Sequence, residues 1–171
     1  MFDTVVFNRI LDRAIDISAL RGKGQFYATH IQLDEIGKTP NLQRRQALLA
    51  VFNKVTERKV ATESFVLDVS RLDEAKLGGD NIVSTESAVW DVSTWDQAKW
   101  GEEDGLYSAI KAELDRLNKN KANNVQDSLI AETAIKNQFT LVTDDSDLCT
   151  VTKKFGGECT DTKKLASDLR A

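Results

Sequence analysis

Only two cysteines, one histidine and one proline occur among the 171 residues, and each scarcity excludes something. Two cysteines, Cys149 and Cys159, are too few for the dense disulfide framework of a small secreted scaffold. With His30 as the sole histidine, no zinc site of the usual Cys/His kind can be assembled, so any metal must be held by oxygen. One proline and nine glycines exclude a collagen-like or low-complexity chain. Long apolar runs are lacking too, which excludes a membrane-spanning helix, and Met1-Phe2-Asp3 does not open a leader with a basic region and an apolar stretch. The expectation is a cytoplasmic protein without a membrane partner. What is present, 41% hydrophobic and 29% charged residues, suffices for one core, and the length is that of a single domain.

The formal net charge of −4 argues against a phosphate-bearing partner until its distribution is considered. Residues 1–65 carry 10 basic and 7 acidic side chains, residues 66–108 carry 3 and 10, and residues 109–171 carry 10 and 10. The acidity therefore belongs to the middle of the chain. That middle, an insert at about 70–105, also holds Gly78-Gly79 and tryptophans at 90, 95 and 100, a spacing that fits neither a helix face nor a strand face. Its tryptophans are expected to anchor it to the core rather than to stack on bases.

Elsewhere the pattern is regular. Apolar positions Val6, Ile10, Leu11, Ala14, Ile15 and Ile17 predict one amphipathic helix from Asp3 to Leu20. A short strand is expected within Gln25–Thr29, then a brief helix capped by Thr29, and a longer one capped by Asn41. Ser64–Val69 is β-like, Tyr107–Leu117 is helical, and Val125 to about Asn137 forms a helix capped by Asn123 or Asn124. Phe139–Thr143 is almost wholly apolar, as in a strand buried on both faces. A helix over Asp144–Phe155, an edge strand at Glu158-Cys159 and a last helix capped by Thr160 or Asp161 complete the chain. Strands alternating with helices predict an α/β sandwich around a mainly parallel sheet.

In open parallel sheets, ligands collect at the carboxyl ends of the strands. Four acids from four segments fall at such positions: Asp3 after the first strand, Glu35 on the helix after the second, Asp127 in the first turn of the helix before the buried strand, and Asp145 just beyond that strand. Clustered carboxylates repel one another and stay ionised mainly around a divalent cation, and an all-oxygen set suits Mg²⁺ or Mn²⁺. Such ions activate water for attack on a phosphodiester. The acids have plainer explanations as well: Asp127 and Asp161 are favourable in a helix's first turn, and Asp144, Asp145 and Asp147 could simply open a helix.

The segments Asp127-Ser-Leu-Ile-Ala-Glu-Thr-Ala-Ile and Phe139-Thr-Leu-Val-Thr-Asp-Asp-Ser-Asp-Leu resemble the C-terminal signature of PIN-domain nucleases, and Asp3-Thr4 resembles the family's first motif. The stretch Thr29–Pro40 resembles the part that carries the second acid, Glu35 rather than Asp34. Val5-Val6 depart from the Asn-Val that commonly follows the first motif, and the 70–105 insert has no counterpart in the small PIN toxins. The resemblance implies a single PIN-like domain over residues 1–171, a three-layer α/β/α sandwich with a mainly parallel central sheet. It implies a metal-dependent endoribonuclease, often the toxin of a toxin–antitoxin pair, with an antitoxin partner and a homodimer. Asp3, Glu35, Asp127 and Asp145 would form the catalytic quartet. Asp3, Asp127, Asp145 and Asp147 would face Mg²⁺ or Mn²⁺, with Thr143 and Thr4 supporting the carboxylates and Asp144 left as a surface acid.

Arg9, Arg44, Arg45, Lys119 and Lys121 are the candidate contacts for the phosphates of single-stranded or structured RNA; Arg13, Lys54, Arg58 and Lys59 add to the basic N-terminal third. His30 is expected to pack or lie at the surface rather than act as a base. Four other readings remain. Asp145-x-Asp147 resembles an aspartate-based phosphatase motif, but too little chain follows it. A phosphoacceptor receiver domain would place its paired acids after the first strand. A PIN-like nucleic-acid-binding or scaffolding module would keep the fold without catalysis, and a housekeeping RNA-processing nuclease would keep the chemistry without an antitoxin.

Overall fold

A computed structural model describes residues 1–20, 22, 24–76, 82–83 and 105–169. The acidic insert and its three tryptophans lie largely outside the described residues. Among the described residues eight helices and six short strands follow one another in the order α1 (Thr4–Leu11), α2 (Ile17–Leu20), β1 (Tyr27–Ala28), α3 (His30–Gly37), α4 (Leu42–Val55), β2 (Arg58–Lys59), β3 (Phe65–Val66) and β4 (Ile82–Val83), then α5 (Leu106–Asn118), α6 (Asn124–Lys136), β5 (Leu141–Val142), α7 (Ser146–Lys154), β6 (Cys159–Thr160) and α8 (Thr162–Asp168).

Local chemistry explains most boundaries. Thr29 closes a capping box with Gln32, Asn41 accepts from the Arg44 amide, and Asp161 accepts from the Lys164 amide, each satisfying donors that a helix start leaves open. The helix expected to run from Asp3 to Leu20 is instead two. Arg13 adopts a left-handed backbone conformation with φ of 60°, which ends α1 and turns the chain before α2.

Every strand pair is parallel: β1 with β2, β3 with β4, and β5 with β6. The first three residues join two of these pairs. Phe2 N donates to Tyr27 O at 2.9 Å on one side, and on the other Asp3 N donates to Val142 O at 3.0 Å and Val142 N to Met1 O at 2.9 Å. Side chains along this segment alternate. Met1 and Leu141 enter a core with Tyr107, Ile110, Leu129, Ile130 and Val151, whereas Phe2 and Val142 enter a second core with Val6, Phe7, Ile36, Leu48 and Phe52. Apolar side chains thus bury both faces of the paired strands, one against α5, α6 and α7 and the other against α1, α3 and α4. Phe7, fully buried with its ring 5.0 Å from that of Phe52, contributes about 2–3 kcal/mol by burial alone.

The two cysteines are bonded to each other. Cys149 on α7 and Cys159 on β6 form a disulfide with Cα atoms 5.5 Å apart, a tether that nothing in their ten-residue spacing announces. His30 is buried at 1% exposure, and among the described residues neither ring nitrogen has a hydrogen-bond partner. No helix among the described residues is long and apolar enough to cross a membrane.

Candidate functional site

Asp3 caps the N-terminus of α1 where the chain leaves the paired strands. Its Oδ1 accepts from the Thr4 amide at 2.6 Å, and its Oδ2 accepts from the Thr143 hydroxyl at 2.6 Å. Thr143, just past β5, is buried, and the same hydroxyl oxygen accepts from the Asp145 amide at 3.0 Å. One threonine therefore sets the spacing between Asp3 and the turn that carries Asp145. Asp145 caps α7: its Oδ1 accepts from the amides of Asp147 at 2.9 Å and Leu148 at 3.0 Å. Its second oxygen, Oδ2, accepts from Lys121 Nζ at 3.0 Å.

Glu35 reaches the same place from α3, where the Thr4 hydroxyl donates to its Oε2. The neighbouring Asp34 turns away and pairs with Arg71. Asp127, in the first turn of α6, is buried at 6% exposure, and among the described residues no donor reaches its carboxylate. Glu132, one turn further along α6, is fully buried elsewhere and is met by the Ser64 hydroxyl and Lys136.

The electrostatics follow from this convergence. Burial pushes the Asp127 carboxyl up to about 8, and the charges of Asp3, Glu35 and Asp145 push the same way against Lys121. Asp3 and Glu35 are also raised, each chiefly by burial, although their threonine hydrogen bonds oppose the shift. Asp145 differs. Burial raises it, but the Leu148 amide and Lys121 outweigh that and hold it below the usual carboxylate range. Hydrogen bonding to Asp145 raises Lys121, and the charges of Asp127 and Asp147 act in the same direction. The four acids and Asp147 thus sense one another or the same ammonium. They do not form a closed ligand set: among the described residues no three lie where one ion could already be held. Asp3 and Asp145 each commit oxygens to internal donors.

The other basic candidates do not gather at this cluster. Arg9 pairs with Asp144 at 2.9 Å, Arg44 grips Asp12 and Asn8, and Arg45 bonds the Gly37 carbonyl at 3.3 Å. Lys119 lies exposed at the end of α5. Asp144, expected to be an idle surface acid, ties the β5–α7 turn to α8 by accepting from the Thr162 hydroxyl at 2.6 Å and its amide at 3.1 Å. A cleft of about 380 Å³ opens beside Asp145, the one acid of the four that lines it, with Thr143, Ser146, Lys153, Thr160 and Lys164 on its walls. Two larger clefts lie at α1 and α8 and between α1 and α4; neither contains any of the four acids, so carboxylate convergence rather than volume marks the site.

In comparisons with known proteins, no family model and no curated protein matches the chain.

Proposed function

We propose that the chain is a metal-dependent endoribonuclease built as a single PIN-like α/β/α sandwich, with its hydrogen-bonded parallel segments forming one central sheet. The observation that carries this reading is the buried Asp127 carboxylate, without a donor among the described residues and raised by the charges of Asp3, Glu35 and Asp145. Four carboxylates at close quarters, one of them unbonded, make an all-oxygen donor set that fits Mg²⁺ or Mn²⁺. Asp3, Asp127 and Asp145 would hold the ion, with Asp147 and Glu35 at the edge of the set. A bound Mg²⁺ or Mn²⁺ would supply charge neutralisation at a phosphodiester and water activated near neutral pH. The chain's own residues orient the ligands: Thr143 holds Asp3 and the Asp145 turn, Thr4 holds Glu35, and the α7 amides keep Asp145 ionised. Lys153 and Lys164, on the cleft beside Asp145, suit the phosphates of an entering single strand.

The resemblance extends the reading to a toxin with an antitoxin partner and a second copy of the chain. Co-purification with an adjacent gene product tests the first, and sedimentation tests the second. The incomplete ligand set favours one alternative, a PIN-like module that binds nucleic acid without cleaving it.

Cleavage of single-stranded RNA in Mn²⁺ decides between them. Activity that vanishes in EDTA and falls on the order of a hundredfold or more in folded Asp127→Asn and Asp145→Asn supports the nuclease. Cleavage that persists in EDTA, or in both variants, excludes this mechanism. Binding without cleavage points to the alternative module.

A further inference from the structure

Lys121 is, among the described residues, the only cation bonded to the acidic cluster. Its placement is built rather than incidental. The chain leaves α5 through two consecutive left-handed residues, Lys119 and Asn120, each with φ of 59° and neither a glycine. Side chains on both helices pin that turn. Asn124, itself buried, donates to Asp115 at 2.6 Å and to Asn118 at 2.8 Å; Asn118 Oδ1 also accepts from the Lys121 amide at 3.3 Å, and the Asn124 amide donates to Lys121 O at 3.0 Å. The backbone of Lys121 is thereby fixed while its four-carbon stem remains free to move the ammonium.

The oxygen it holds is decisive. Asp145 Oδ1 is committed to two backbone amides, so Oδ2 is the oxygen left to ligate an ion, and Oδ2 is where Lys121 sits at 3.0 Å. Asp127 and Asp147 also lie within reach of its charge. Resting on the metal-site reading above, we infer that Lys121 is a resident counter-cation of the cluster: it occupies Asp145 Oδ2 in the metal-free protein and releases that oxygen when a divalent ion enters. A single charge among several carboxylates stabilises the empty cluster yet yields to a double charge. The same displacement would turn the ammonium outward, toward an arriving phosphate.

The test is titration of Mn²⁺ alone, without RNA, into wild type, Lys121→Gln and Lys121→Arg, following free Mn²⁺ by electron paramagnetic resonance and folding by circular dichroism. Lys121→Gln should bind Mn²⁺ roughly fivefold more tightly than wild type, the factor expected for removing one partly exposed ion pair, and Lys121→Arg should stay with wild type. A second measurement needs no variant: labelling of wild-type Lys121 by an amine-reactive reagent, mapped by mass spectrometry, should rise when Mg²⁺ is added. Wild-type binding with equal or weaker binding by Lys121→Gln overturns this inference alone, as does labelling unchanged by Mg²⁺ at concentrations that saturate the site. Failure of both wild type and Lys121→Gln to bind Mn²⁺ overturns the metal-site reading and the inference with it.

Discussion

The Thr143 hydroxyl donates a 2.6 Å hydrogen bond to Asp3 across 140 residues of sequence. It also accepts from the Asp145 amide, so one side chain fixes the separation of two carboxylates that belong to opposite ends of the chain. Thr143→Val keeps the shape and removes both bonds, leaving a buried carboxylate oxygen and a backbone amide unpaired. The expected cost is about 1–3 kcal/mol in urea unfolding, together with loss of metal-dependent cleavage.

Asp127 predicts an unusual pH dependence in the absence of metal. Its folded carboxyl titrates at about 8, against about 4 in an unfolded chain, so over that interval the native state binds the extra proton and stability falls as pH rises. The sign is opposite to that of Asp145, whose contribution is lost as pH falls. Unfolding in EDTA should show the stability difference between wild type and Asp127→Asn declining from pH 5 to pH 8, by at most about 1.4 kcal/mol per pH unit. Saturating Mg²⁺ should flatten it. A difference independent of pH in EDTA would mean that Asp127 is not buried among acids.

The adjacent acids of α3 separate cleanly. Glu35 accepts from Thr4 beside Asp3, whereas Asp34 pairs with Arg71 on an exposed face. Glu35→Gln is expected to lower cleavage on the order of tenfold to a hundredfold with little change in melting temperature. Asp34→Asn should cleave normally and cost less than about 1 kcal/mol. Equal rates for the two variants would argue against a site at this edge.

Reduction of the Cys149–Cys159 bond should destabilise the protein by about 2–3 kcal/mol, mainly because the unfolded chain regains the freedom of a short loop. Thermal unfolding with and without dithiothreitol measures it, and Cys149→Ser with Cys159→Ser should reproduce the reduced value. The tether joins α7 to β6, so hydrogen exchange should increase in Ser146–Lys154 on reduction.

What could be read from the sequence was local. The caps at Thr29, Asn41 and Asp161 announce themselves by residue type, and the apolar run before Thr143 gives β5 its place with both faces covered. The expectation that Asp3, Glu35, Asp127 and Asp145 share one neighbourhood came from their positions near strand ends; what the structure adds is the bonds, Thr143 linking Asp3 to the Asp145 turn and Thr4 reaching Glu35. The features that stayed hidden are long-range or conformational. The break at Arg13 carries no glycine or proline to mark it, and the pairing of Arg44 with Asp12 depends on how α4 packs on α1. Cys149 and Cys159 become neighbours only once β6 lies beside β5. Nothing in residues 119–121 but Asn120, a residue type tolerant of left-handed backbone, signals that the turn before Lys121 is shaped to aim its side chain inward.

The seating of Met1–Asp3 between β1 and β5 also dictates an order of assembly. Synthesis delivers Asp3 first, yet the hydroxyl that orients it and the carboxylate that faces it come from Thr143 and Asp145. Contacts of such sequence separation form late, after the chain between them has been made and its loops closed. A nascent chain still lacking β5 has its first acid but no pocket to put it in, so whatever the cluster does, it begins only once Thr143 and Asp145 have been made and have docked against Asp3.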